Sequence, residues 1–139
     1  MSTIALAGLL ALGALPSPLN ETTHTYAVIV ASNTAPETSL QPLRYADDDG
    51  ARFFELFSTL SDDVRLLSVL DADSQKTYPA LAETAQPPTK KALRATLEEV
   101  FQKISVDSKA GIRTVLYFVY VGHGSIGDDG EGVMHFLDG

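Results

Sequence analysis

Arg113-Thr114-Val115-Leu116-Tyr117-Phe118-Val119-Tyr120-Val121-Gly122-His123-Gly124-Ser125 is the stretch on which the reading of this chain turns. Val115 to Val121 is an unbroken apolar run, rich in β-branched and aromatic side chains. It is too short to cross a bilayer. Followed at once by glycine, it reads as a strand buried on both faces, as inside a parallel sheet. The chain then turns on Gly122 and Gly124 and presents one imidazole, His123. In open α/β sheets ligands bind in the crevice beyond the carboxyl ends of the strands. Glycine on both sides lets backbone approach a ligand closely. His123 therefore stands where chemistry is expected.

Working outward, Thr89 suits the N-cap of a helix. Leu93, Leu97, Val100, Phe101 and Ile104 follow on one helical face, with Lys90, Lys91, Arg94, Glu98, Glu99 and Lys103 mostly on the other. Asp107 to Gly111 is the turn into the long strand. Before the helix, Val64 to Leu70 reads as a second strand, closed by turn residues Asp71 to Ser74. Residues 77–88 read as a loop or short irregular helix. Leu43 to Phe57 reads as an amphipathic helix, with Ala46, Gly50, Phe53, Phe54, Phe57 and Leu60 at helical spacing. Tyr26 to Ser32 is the first confident strand, apolar on both faces. Strand, helix, strand, helix, strand predicts an α/β fold with parallel strands and right-handed crossovers. Downstream, Gly124 to Gly132 reads as a polar glycine-rich loop, and Val133 to Leu137 as a further strand or hairpin arm. The third strand is the most hydrophobic, and an open edge there would invite aggregation. More sheet is expected beside it, from downstream sequence or a partner chain.

The sequence given has 139 residues, the size of one domain, with 45% hydrophobic and 20% charged residues, enough for a packed core. A net charge of −8 argues against nucleic-acid binding and against docking on anionic lipid. The absence of cysteine excludes disulfides and thiolate metal sites within the chain. Ile4 to Leu15 is an apolar run of small residues, broken by Pro16-Ser17-Pro18 and too short for a membrane span. Its length suits the core of a secretory signal, but no Lys or Arg precedes it. Residues 1–22 are thus either a degenerate export signal or an ordinary apolar element, and residues 23–139 the folded domain. The compartment stays open between cytoplasmic and exported.

His123 is read as a general acid or base, since imidazole titrates near neutral pH without perturbation. The backbone amide of Gly124 is a candidate for an oxyanion. Asp47-Asp48-Asp49 is either a group for basic substrates or cations, or a helix start favoured by the dipole. Arg44 is either an anion-binding group or a surface residue. Asp128, Asp129 and Glu131 form a weak calcium candidate whose spacing departs from the EF-hand pattern. No metal or other cofactor is otherwise expected. Asp71 and Asp73 read as turn residues, and His24 and His135 have no nameable partner.

These residues together resemble the N-terminal half of the caspase-like cysteine peptidases, in particular bacterial caspase homologues and metacaspases. The likeness runs from Tyr26 to Gly139. It rests on the first strand, the Leu43-Arg44-Tyr45-Ala46-Asp47-Asp48-Asp49-Gly50-Ala51 helix start, the second strand with the Pro-Thr-capped helix after it, and the apolar strand ending in Gly122-His123-Gly124-Ser125. It implies a three-layer caspase-like fold with a mainly parallel sheet, of which only the N-terminal half is present. It implies a Cys–His dyad with His123 as its histidine and Gly124 in the oxyanion hole. Asp47 and Asp49 would suit Arg or Lys at P1, toward which the reading leans, whereas Arg44 would suit Asp. In caspases the nucleophilic cysteine lies about 50 residues after the histidine, which here falls beyond Gly139. The resemblance therefore implies a C-terminal cysteine-bearing fragment or chain as partner, and a protein or peptide as substrate.

Two other classes compete. One is a non-catalytic caspase-like scaffold or peptide-binding module. The other is a different α/β hydrolase using His123-Gly124 as an oxyanion loop; its Gly-x-Ser-x-Gly elbow does not occur in these residues. A receiver-like phosphorylation domain is disfavoured, because the first strand ends in Ser32-Asn33 rather than an aspartate.

Overall fold

The computed structural model describes residues 22–36 and 39–138. The expectations for residues 1–22 lie outside it, apart from Thr22. The elements in order are β1 (Thr23–Ala31), α1 (Ala46–Leu60), β2 (Asp63–Ser68), α2 (Ala72–Thr77), α3 (Pro79–Thr84), α4 (Lys90–Lys109), β3 (Arg113–Val121), β4 (Gly124–Ile126) and β5 (Gly132–Met134). The three long strands form one parallel sheet in the order β2-β1-β3, and β4 pairs with β5 as an antiparallel hairpin.

β1 is the centre, and Ala27 to Ala31 are wholly buried. Its alternate side chains feed two cores, as the two-residue period of a strand requires. Ala27 and Ile29 pack with Ala51 and Phe57 of α1, Leu66 of β2 and Leu81 of α3. Tyr26, Val28 and Val30 pack with Val100 of α4 and with Phe136. Helices cover both faces of a parallel sheet, a three-layer α/β arrangement. Among the described residues no helix is long and apolar enough to cross a membrane.

Three local readings change in the folded chain. β3 lies at the edge of this sheet, not in its interior. Tyr117 and Phe118, on opposite faces, are 47% and 41% exposed. The apolar pattern of β3 thus exceeds what its neighbours here cover. The inward face of α1 is made of Ala46, Asp47, Gly50, Ala51 and Phe57, while Phe53 and Leu60 are exposed. Close approach explains the small residues of the first turns: a Cβ on Gly50 would lie 2.4 Å from the Ala31 Cβ, so that position must be glycine. In α4, likewise, Thr96 and Val100 are buried and Phe101 is exposed.

The segment after β2 is more ordered than its composition suggests. Asp71 caps α2 by accepting the amides of Asp73 and Ser74, and Pro79 opens α3 at a position that tolerates proline. Gln86 then bridges to Leu67 and covers part of the outer edge of β2. Thr89 caps α4 as expected, accepting the Ala92 amide at 3.0 Å. The Asp138 carboxylate adds a second cap on the Lys90 amide at 2.8 Å, tying the tail to that helix.

Candidate active site

The carboxyl ends of β1 and β3 meet where the Ser32 amide donates to the Val121 carbonyl at 2.9 Å. Immediately beyond lies His123. It is half-buried, and its Nε2 is shielded from solvent with no hydrogen-bond partner among the described residues. The Ser61 and Ser68 hydroxyls are likewise buried without a partner among the described residues, but His123 Nε2 is the one at this sheet end that can accept or donate a proton near neutral pH. The backbone of the same residue is firmly held. Its carbonyl accepts the His135 amide at 3.0 Å and lies 2.6 Å from the Tyr120 hydroxyl.

The hairpin fixes the direction of the next amide. Gly124 opposes Met134, Ser125 opposes Val133 and Ile126 opposes Gly132. Bonds from His135 N to His123 O and from Gly127 N to Glu131 O make 123·135 and 127·131 hydrogen-bonded pairs. Antiparallel pairs alternate, so Gly124·Met134 is a non-hydrogen-bonded pair and its amides point away from the hairpin. The Gly124 N–H thus faces outward one residue from the imidazole. A Cβ there would come within 3.2 Å of the Val133 carbonyl, so glycine fits the position best.

The acidic run divides three ways. Asp47 is wholly buried. One carboxylate oxygen accepts from Asn33 Nδ2 at 2.6 Å and the other from the Asp71 amide at 2.8 Å. Asn33 Oδ1 in turn accepts the amides of Ala46 and Asp47, so it caps α1 from the end of β1. The Asn33–Asp47 pair therefore ties together the ends of β1, α1 and β2. Asp48 accepts the Ser74 hydroxyl at 2.9 Å. Asp49 pairs with Arg52 alone among the described residues, at 3.3 Å on the surface. Arg44 is exposed in the loop before α1. The fold thus brings Asn33 and Asp47 to the sheet end that carries His123, and leaves Asp49 and Arg44 outside that network.

A second polar cluster, absent from the sequence reading, lies at the opposite end of the sheet. His24 Nδ1 lies 2.9 Å from Asp107 Oδ2, and the Tyr26 hydroxyl donates to the same oxygen at 2.6 Å. That bond, with burial, pushes the Tyr26 phenol up to about 12. The Tyr26 bond, then His24, hold Asp107 below the ordinary carboxylate range against its desolvation. Nearby, burial raises Asp63, but bonds from Arg65 and Lys103 outweigh it and leave its pKa lowered. The spacing of His24 and Tyr26, two apart on a strand, was the available signal that they share a face. His135 also has a partner, Ser125 Oγ at 2.9 Å across the hairpin. In the 127–131 turn, Asp129 accepts the Glu131 amide. No group of three His, Asp or Glu among the described residues is arranged to hold a metal ion.

No protein-family model, no curated protein and no solved structure matches the chain. The site must therefore be read from its chemistry: an imidazole with a free ring nitrogen, beside an outward amide, at the carboxyl end of a parallel sheet. Such a pair can move a proton and stabilise a negative oxygen.

Proposed function

We propose that this chain is the histidine-bearing part of a caspase-like cysteine endopeptidase. The observation that carries the reading is the unpartnered Nε2 of His123 one residue from the outward Gly124 amide. His123 takes the proton of a thiol supplied by a C-terminal cysteine-bearing fragment or chain. The thiolate attacks the peptide carbonyl, and the Gly124 N–H receives the developing oxyanion. Collapse of that intermediate expels the amine, which His123 protonates, and leaves an acyl-enzyme that water hydrolyses. The open edge of β3, with Tyr117 and Phe118 exposed, supports the pairing of further sheet from the cysteine-bearing part. Arg or Lys at P1 is the preferred specificity. Asp49 is the carboxylate of the run with only a surface partner, whereas Asp47 is engaged inward.

One other reading is a caspase-like scaffold that binds peptides without cleaving them, which a downstream sequence lacking cysteine would favour. Intact mass measurement of native material, under denaturing and non-denaturing conditions, separates the two. A bound cysteine-bearing fragment supports the peptidase. With that part present, His123→Ala should abolish peptide cleavage while the fold stays intact, and retained turnover would sink the dyad assignment.

A further inference from the structure

We propose that Tyr120 is the positioning residue of this site: its phenol oxygen, clamped between two backbone carbonyls, sets where the His123 ring and the Gly124 amide stand. The proposal rests on the reading of those two groups as the working ones. Tyr120 lies on β3, three residues before His123, and its side chain reaches past the strand end. The hydroxyl lies 2.6 Å from the His123 carbonyl and 2.7 Å from the His135 carbonyl, and accepts the His135 amide at 3.0 Å. One oxygen thus joins the residue that leaves β3 to the residue that closes the hairpin.

Two further features are built around this contact. A Cβ on Gly122 would fall 2.7 Å from the Tyr120 hydroxyl and 2.9 Å from Cζ, so the ring occupies the space a side chain would need. That gives Gly122 a reason distinct from flexibility. The Tyr120 ring also packs against buried Phe136, centroids 6.0 Å apart, which fixes the phenol from the other side. Burial raises the phenol pKa although the His135 amide opposes it, so the donor is retained wherever a histidine works. The His123 ring makes no hydrogen bond from Nε2 among the described residues. Its placement therefore depends on its backbone, and the Tyr120 hydroxyl binds that backbone from a side chain.

The test is Tyr120→Phe in the 139-residue chain, because it keeps the ring and removes only the oxygen. Three histidines give three imidazole signals in a proton–nitrogen spectrum, and His24 at the far end of the sheet is an internal reference. The expected result is a broadened or split His123 signal with an unchanged His24 signal. The His135 amide, which divides its proton between the Tyr120 oxygen and the His123 carbonyl, should exchange about two to five times faster on losing the first of these acceptors. Gly122→Ala, which pushes the phenol off its carbonyls, should reproduce the His123 signature. Wild-type His123 signals in both variants overturn the proposal. With a cysteine-bearing part restored, Tyr120→Phe should lower kcat with KM unchanged, and an unchanged kcat also overturns it. If the restored wild type cleaves no peptide, the peptidase reading fails, while the imidazole spectra still decide the role of Tyr120.

Discussion

The sheet carries a histidine at each end, and the two are held in opposite ways. His24, at the amino end of β1, bonds through its ring to Asp107, which also takes the Tyr26 phenol. His123, beyond the carboxyl end of β3, is pinned through its backbone, and its Nε2 has no partner among the described residues. A side chain whose polar atoms answer one another joins elements together. One whose backbone is fixed and whose ring is free is ready to meet another group. Mutation should separate the two roles, because losing a satisfied partner costs stability and losing an unsatisfied polar atom does not.

The largest effect should come from the carboxyl end itself, where the proposed site and the framework sit side by side. Asp47→Ala strands Asn33 Nδ2 and the Asp71 amide and loosens the cap of α1. Bonds to a buried carboxylate are worth enough that a loss of about 3 kcal/mol or more is expected in urea unfolding. Asp49→Ala, whose surface partner is Arg52, should stay within about 0.5 kcal/mol. Equal effects would mean that the acidic run is one surface feature, without an inward member.

Next comes the direct comparison of the histidines. His24→Ala should lower the thermal midpoint by roughly 2–6 °C, since it removes a partner of Asp107. His123→Ala should leave the midpoint within about 2 °C of the wild type, or raise it. A larger loss at His123 than at His24 would make His123 a framework residue and remove the main support for its chemical role.

Much of this arrangement was legible from local pattern. The three strands, the two long helices and the Thr89 cap follow from apolar runs and helical spacing, and His123 was placed by the glycines around it. What the sequence reading missed is long-range. Asn33 and Asp47 are separated by 14 residues, and Tyr26 and Asp107 by 81. No window of the chain shows those pairs, so Asp47 resembled any acidic helix start. Phe53 and Leu60 obey the helical period, yet they are exposed while Phe57 between them is buried, and the close approach at Gly50 is a contact with Ala31 that no local pattern shows. The edge position of β3 was equally hidden, since an apolar strand specifies a covered environment without saying which neighbour provides the cover.

The smallest effect is confined to the extremes of pH. The Tyr26 phenol and the Asp107 carboxylate change charge only well away from neutrality. The Tyr26 phenol has a pKa of about 12 in the folded chain against an ordinary 10.0. The unfolded chain therefore releases that proton first, and stability falls as pH rises from about 10 through 12. Asp107 is lowered from 3.8, so the unfolded chain takes up its proton first as pH falls. The stability it contributes is present above that value and is lost as pH drops through its folded pKa. Asp63, Asp71 and Asp138 are lowered too, and share the acid limb. Urea midpoints measured against pH should lose the alkaline decline attributable to this cluster in Tyr26→Phe. In Asp107→Asn they should show a shallower decline on both sides. His123→Ala should keep the wild-type curve, because none of these groups bonds to it. A changed curve in that variant would mean that the two ends of the sheet are coupled, and would erase the distinction drawn between its two histidines.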